Sequence, residues 1–70
     1  MDQIKAADIR DITDGKIARD EARDIAKTCQ QLCKHHKVNV WELSMENRQL
    51  FLEGWDKDGF EVCHEFILAI

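Results

Sequence analysis

The 70-residue chain contains no proline and no tyrosine, only three glycines and three cysteines, and no long apolar run. Without proline, no residue bars a helix interior. No stretch approaches the roughly 20 apolar residues a membrane-spanning helix needs. The opening "MDQIKAADIRD" carries charges throughout and lacks the apolar segment of a signal peptide, so the expected compartment is the cytoplasm. Three cysteines are an odd number for a disulfide framework. Cys29 and Cys33 fall one helical turn apart, where their sulfurs are poorly placed to bridge, so reduced thiols are expected. A phosphate-cradling glycine loop is missing, as is any nucleophile with an aligned base and a third orienting group. Cys63 beside His64 does not qualify, because helix neighbours point about 100° apart. No enzymatic activity is predicted and no cofactor is expected.

What is present describes a globular domain. Apolar residues make up 44% of the chain and charged residues 34%, with a net charge of −4. A chain this short buries only roughly 60% of the surface its unfolded form exposes, so one domain over 1–70 is expected, supported by a second copy or a partner. The charge is unevenly spread. Residues 1–15 carry two positive and four negative charges, 16–37 six and three, and 38–70 two and seven, giving −2, +3 and −5. A basic central element packed between acidic neighbours explains this pattern, and overall acidity argues against a phosphate-binding surface.

The clearest periodicity runs from Ile17 to His36. Ala18, Ala22, Ile25, Ala26, Cys29, Leu32, Cys33 and His36 recur at three- and four-residue steps, with charged residues opposite, which predicts a long amphipathic helix over about 16–37. A helix over Gln3–Ile12 with Ile9 and Ile12 inward is expected before it. In "LSMENRQLFLEGW", Ser44 as a cap and Gly54 as a left-handed terminator predict a helix from Met45 to Glu53. "NVWEL" before it reads as a helical turn or an extended linker. The last segment, "DKDGFEVCHEFILAI", fits either a β-hairpin after a DG turn or a helix with Val62, Cys63, Phe66, Ile67 and Ile70 on one face. The helical pattern has fewer exceptions and is preferred. The predicted fold is therefore all-α, a compact bundle of three or four short helices.

Two stretches resemble the back half of the EF-hand calcium loop. In "DITDGKIARDE", Gly15 at the sixth position puts Asp14 at the fifth, Ile17 at the eighth and Glu21 at the twelfth. In "GWDKDGFEVCHE", Asp56, Asp58, Gly59 and Glu65 fill the third, fifth, sixth and twelfth. The first position is Arg10 in one and Gly54 in the other, so each loop lacks its first ligand and binds calcium weakly or not at all. The resemblance, covering about a third of the chain, implies a degenerate EF-hand-like pair as an alternative fold. Turn chemistry alone explains the same residues.

A zinc set is a second candidate. Cys29, Cys33 and His36 lie at i, i+4 and i+7 on one helix face, and Cys63 or His64 could complete a tetrahedron, although the same positions continue the apolar stripe as core. No metal is assigned. A helix-turn-helix reading is a third, weakened by an acidic second helix whose single arginine is Arg48. Nucleic acid and membrane are not expected partners. The preferred reading is a small acidic interaction module, a homodimer that regulates or inhibits a larger protein through its C-terminal half. Its expected contact residues are Trp41, Arg48, Phe51, Trp55, Phe66, Leu68 and Ile70, with the apolar tail "FILAI" leaving Leu68 on an exposed helical seam.

Overall fold

The computed structural model describes residues 2–70. Two helices, α1 (Ala6–Ile12) and α2 (Arg19–His35), precede three strands, β1 (Val40–Glu46), β2 (Gln49–Trp55) and β3 (Glu61–Ala69). The strands form an antiparallel sheet in the order β1-β2-β3. Both helices lie on one face of it, α1 over β1 and α2 over β3. The fold is α+β, which overturns the all-α bundle expected from the sequence and with it the EF-hand-like pair.

The N-terminal half follows its periodicity. Ala22, Ala26 and Cys29 on α2 are buried, with Ile25, Leu32 and Cys33 packed beside them. Ile9 is buried on α1, and Ile12 packs against the core. Each helix ends in the same capping pattern. After α1 the N–H of Gly15 donates to the Arg10 carbonyl at 2.8 Å and that of Asp14 to Asp11 at 3.3 Å. After α2 the N–H of Val38 donates to Cys33 at 2.8 Å and that of Lys37 to Lys34 at 3.3 Å. These paired bonds satisfy carbonyls left free at a helix end and need one left-handed residue, supplied here by Asp14 (φ 55°) and Lys37 (φ 56°). The helix ends at His35, two residues short of the expected bound, and the Asn39 N–H donates to the Trp55 carbonyl at 2.7 Å, alongside the start of the sheet.

The C-terminal half is where the helical reading fails. "LSMENRQLFLEGW" is a β-hairpin with a two-residue turn at Asn47 and Arg48, both left-handed (φ 51° and 62°), the geometry whose twist matches paired strands. Leu50, Phe51, Leu52 and Trp55 are apolar on both sides of this short segment, so helical and strand periods fit it equally. Its Leu, Glu, Gln, Met and Arg content favours helix locally, and tertiary packing overrides that preference. Ser44 is not a cap, "NVWEL" leads into β1 rather than a helical turn, and the second helix of the helix-turn-helix alternative is this hairpin. Gly54 does not end a helix. It pairs with Trp41 and Cys63 in the middle of the sheet.

The last segment is the second arm of another hairpin. Asp56 organises its turn: its Oδ1 accepts from the N–H of Asp58 at 2.9 Å and of Phe60 at 3.0 Å, and Gly59 takes the left-handed position at φ 86°. Two register shifts in the β2–β3 pairing hide the alternation of β3. Leu68 opposes Leu50 while Phe66 opposes Phe51, leaving Ile67 as the extra residue, and Val62 is extra between the partners of Gly54 and Trp55. Phe66 and Leu68 therefore face opposite sides, which a strict two-residue period forbids. Leu68 and Ile70 pack against the core, so the expected exposed helical seam does not exist.

A close approach joins the layers. A Cβ on Gly54 would lie 2.5 and 2.7 Å from the two methyls of Val38 and 3.2 Å from the Cys63 Cβ. Only a residue without a side chain lets the turn after α2 rest on the sheet. Gly54→Ala is accordingly expected to cost about 1–3 kcal/mol in urea denaturation. Combining it with Val38→Ala should recover part of that loss, and an unchanged midpoint for the single variant would show that Val38 is not the anchor.

Candidate functional site

The register that turns Leu50, Leu52 and Gly54 toward the helices turns Phe51, Glu53 and Trp55 the other way. Val40, Glu42, Ser44 and Glu46 of β1 and His64 and Phe66 of β3 share that second face. No helix covers it. Phe66 is 53% and Val40 50% exposed, and Phe60 beside the β2–β3 turn is 70% exposed. Phe51 holds the centre, edge-on to Phe66 with ring centroids 5.9 Å apart and to His64 at 5.7 Å. Such T-shaped pairs match the positive ring edge to the negative face.

Carboxylates are set among these rings. Glu42 stands directly opposite Glu53 on the neighbouring strand. Among the described residues neither has a cationic partner; the Ser44 hydroxyl donates to Glu53 Oε1 at 3.5 Å, and Glu61 lies 3.8 Å from His64 Nδ1. Like charges directly opposed across a strand pair are destabilising. The two cations of the C-terminal half, Arg48 and Lys57, sit in the turns at opposite ends of β2.

This face divides the contact residues expected from the sequence. Phe51, Trp55 and Phe66 lie on it together. Trp41, Leu68 and Ile70 point to the helical side and pack against the core, and Trp41 Nε1 also donates to the Asp2 carbonyl at 2.8 Å. Arg48 is an exposed turn residue at the rim. Sequence reasoning missed Val40, Glu42, Ser44 and His64 because they join the face only through strand alternation. The reversal of phase around "NR" was the available signal.

The cysteines come together inside the molecule. Cys29 and Cys33 on α2 and Cys63 on β3 are free thiols within electrostatic reach of one another. Burial pushes the Cys29 thiol up to about 12, with Cys33 and Cys63 adding to the effect, and burial raises the other two as well. A metal needs the thiolate, which this apolar setting disfavours. His36 turns away, its Nε2 3.6 Å from Glu65 Oε1, and among the described residues no group of three His, Cys, Asp or Glu side chains is arranged to hold a metal ion.

The loop likeness resolves in the same way. Asp14 and Gly15 are the end of α1, Glu21 is exposed in the first turn of α2, and the Arg10 Nε donates to the Ile17 carbonyl at 3.1 Å across the loop. The Asp56 carboxylate is spent on backbone N–H groups of its own turn, and Glu65 is on β3 beside His36.

Compared with known proteins, the chain matches no family model, no curated protein and no solved structure. Among the described residues no helix is long and apolar enough to cross a membrane.

Two stability measurements test this geometry. Glu42→Gln removes one of the facing charges and should raise stability by roughly 0.2–1 kcal/mol in urea denaturation, whereas Glu46→Gln, opposite Gln49, should leave it unchanged. The thiols predict a loss in alkali. Cys29 binds its proton more tightly folded than unfolded, so stability is complete below the ordinary value of 9.0 and falls as pH rises toward about 12. Cys29→Ala should flatten that fall while lowering stability at neutral pH through lost packing, and an equally steep alkaline decline would show that Cys29 is not its source.

Proposed function

We propose that this protein is a small binding module that docks a partner protein through the open face of its sheet. The observation that carries the reading is the helix-free side of the sheet, where Phe66 and Val40 are exposed and Phe51 and Trp55 half-buried around the Glu42–Glu53–His64 row. Aromatic anchors ringed by polar groups are the usual energetic centres of protein interfaces. The accessible surface of 4957 Å² also exceeds the roughly 4,500 Å² expected of a compact monomer of this mass.

The face is a shallow sheet surface with no cleft to enclose a small substrate, so its chemistry is that of contact. A module of this kind acts by occupying its partner, and regulation or inhibition of a larger protein is the corresponding role. The contact set becomes Val40, Phe51, Trp55 and Phe66 with His64 and the carboxylates around them. Arg48 lies at the margin, and Trp41, Leu68 and Ile70 support the sheet from beneath.

A photo-crosslinking side chain at position 66, and separately at 27 on the outer side of α2, identifies candidate partners in cells, and the adduct is then reassembled from purified components. The expected result is a complex that Phe66→Ser weakens at least about tenfold while Lys27→Ser does not, with the far-ultraviolet spectrum of both variants preserved. Equal crosslinking from both positions, or reassembly indifferent to Phe66→Ser, would remove the open face as the docking surface.

A further inference from the structure

We infer that the open sheet face is built for a basic partner: a protein segment that presents apolar side chains together with lysine or arginine. The inference rests on the docking role proposed above and specifies the chemistry of what docks.

The facing pair Glu42 and Glu53 carries it. In the isolated chain the two carboxylates stand opposite each other across the strand pair, a placement that like charges disfavour, and among the described residues no lysine or arginine makes an ion pair with either. Glu46 and Glu61 place further negative charge on the same face, and among the described residues His64 is its one basic side chain. A cation set down between Glu42 and Glu53 would meet two acceptors at once, beside rings that take its apolar neighbours. A guanidinium, which spans two carboxylate oxygens and stacks on aromatic faces, fits this surface best.

Charge also separates the alternatives. Two copies joined face to face would bring the acidic rows together, a juxtaposition that costs binding. The outer side of α2 carries Arg19, Arg23, Lys27 and Lys34 interspersed with Asp20, Glu21 and Asp24, and it offers no apolar side chain to cover Phe51 and Phe66. Nucleic acid would meet the same acidic rows with its phosphates. A foreign segment that is both basic and apolar satisfies the rings and the carboxylates together.

The test is a nuclear magnetic resonance titration of the intact protein with two synthetic strand peptides of equal length, one alternating leucine and lysine, the other leucine and glutamate. The lysine peptide is expected to shift amides of Val40, Glu42, Phe51, Glu53 and Phe66. Its affinity should fall at least about tenfold in the Glu42→Gln, Glu53→Gln double variant and stay within about twofold in an Asp20→Asn, Asp24→Asn variant that removes equal charge from α2. If the two peptides bind the face equally, or the glutamate peptide binds it more tightly, the basic-partner inference is overturned and the docking role stands. Concentration-dependent shifts of the same amides without peptide would assign the face to a second copy and overturn the inference. Shifts confined to the helices, or none, would overturn it as well, and the crosslinking at position 66 then decides the docking role separately.

Discussion

The contact of Val38 with Gly54 is the constraint on which the rest of the structure depends. Lys37 in its left-handed conformation turns the chain back after α2, and Val38 lands where a side chain on residue 54 would be. From that point the geometry propagates. Asn39 bonds to the Trp55 carbonyl, and β1 then runs antiparallel along β2 in a register that sets Trp41 opposite Gly54 and Leu43 opposite Leu52. Cys63, the other neighbour of Gly54, closes the core against Cys29 and Cys33 on the overlying helix. A helix cap and a single missing Cβ therefore fix how the sheet meets the helices.

The open face is a consequence of the same register. Because side chains alternate along a strand, burying Leu50, Leu52 and Gly54 commits Phe51, Glu53 and Trp55 to the opposite side, and a slip of one residue would exchange the two sets. The helical layer has enough apolar surface to cover one face only. Its inward positions are largely small, Ala22, Ala26 and Cys29, so helix and sheet approach closely and the sheet is shielded on that side alone. The uneven charge of the chain becomes spatial in this way. The basic stretch 16–37 contains α2, α1 lies in the acidic stretch 1–15, and the acidic stretch 38–70 forms the sheet.

The two halves of the chain differed in how legible they were. α2 was readable because its apolar residues keep a helical period over seventeen residues, long enough that no strand pattern competes. β1, β2 and β3 are short and two-faced, with aromatics on the side away from the helices as well as apolar residues beneath, so alternation was masked. In β3 the two extra residues reversed the phase between Phe66 and Leu68, and only pairing with β2 reveals it. Phe51, Trp55 and Phe66 were identifiable as large apolar residues in an acidic setting. Which side of the sheet they occupy was not, since sheet register is a long-range property. The zinc set failed for the opposite reason: the spacing of Cys29, Cys33 and His36 was correct for one face of α2, but its last member lies beyond the core, where Glu65 meets it.

Several features of the sheet run against the stability of the isolated chain. Glu42 and Glu53 stand opposite each other, Phe66 and Val40 remain half in water, and Arg48 holds a left-handed conformation that a glycine would adopt at less cost. In a chain that buries so small a core, each of these is a noticeable fraction of the net folding energy, which for domains in general is only about 5–15 kcal/mol. Phe51 links the two costs, because its ring is edge-on to Phe66 and to His64 while its strand neighbours carry the acids. A surface that is suboptimal for the free chain in both apolar exposure and charge would be relieved by one event, the arrival of the proposed partner that covers the rings and neutralises the carboxylates. That double cost is why the docking role is proposed for the sheet face rather than for the satisfied thiols or the self-capped loops.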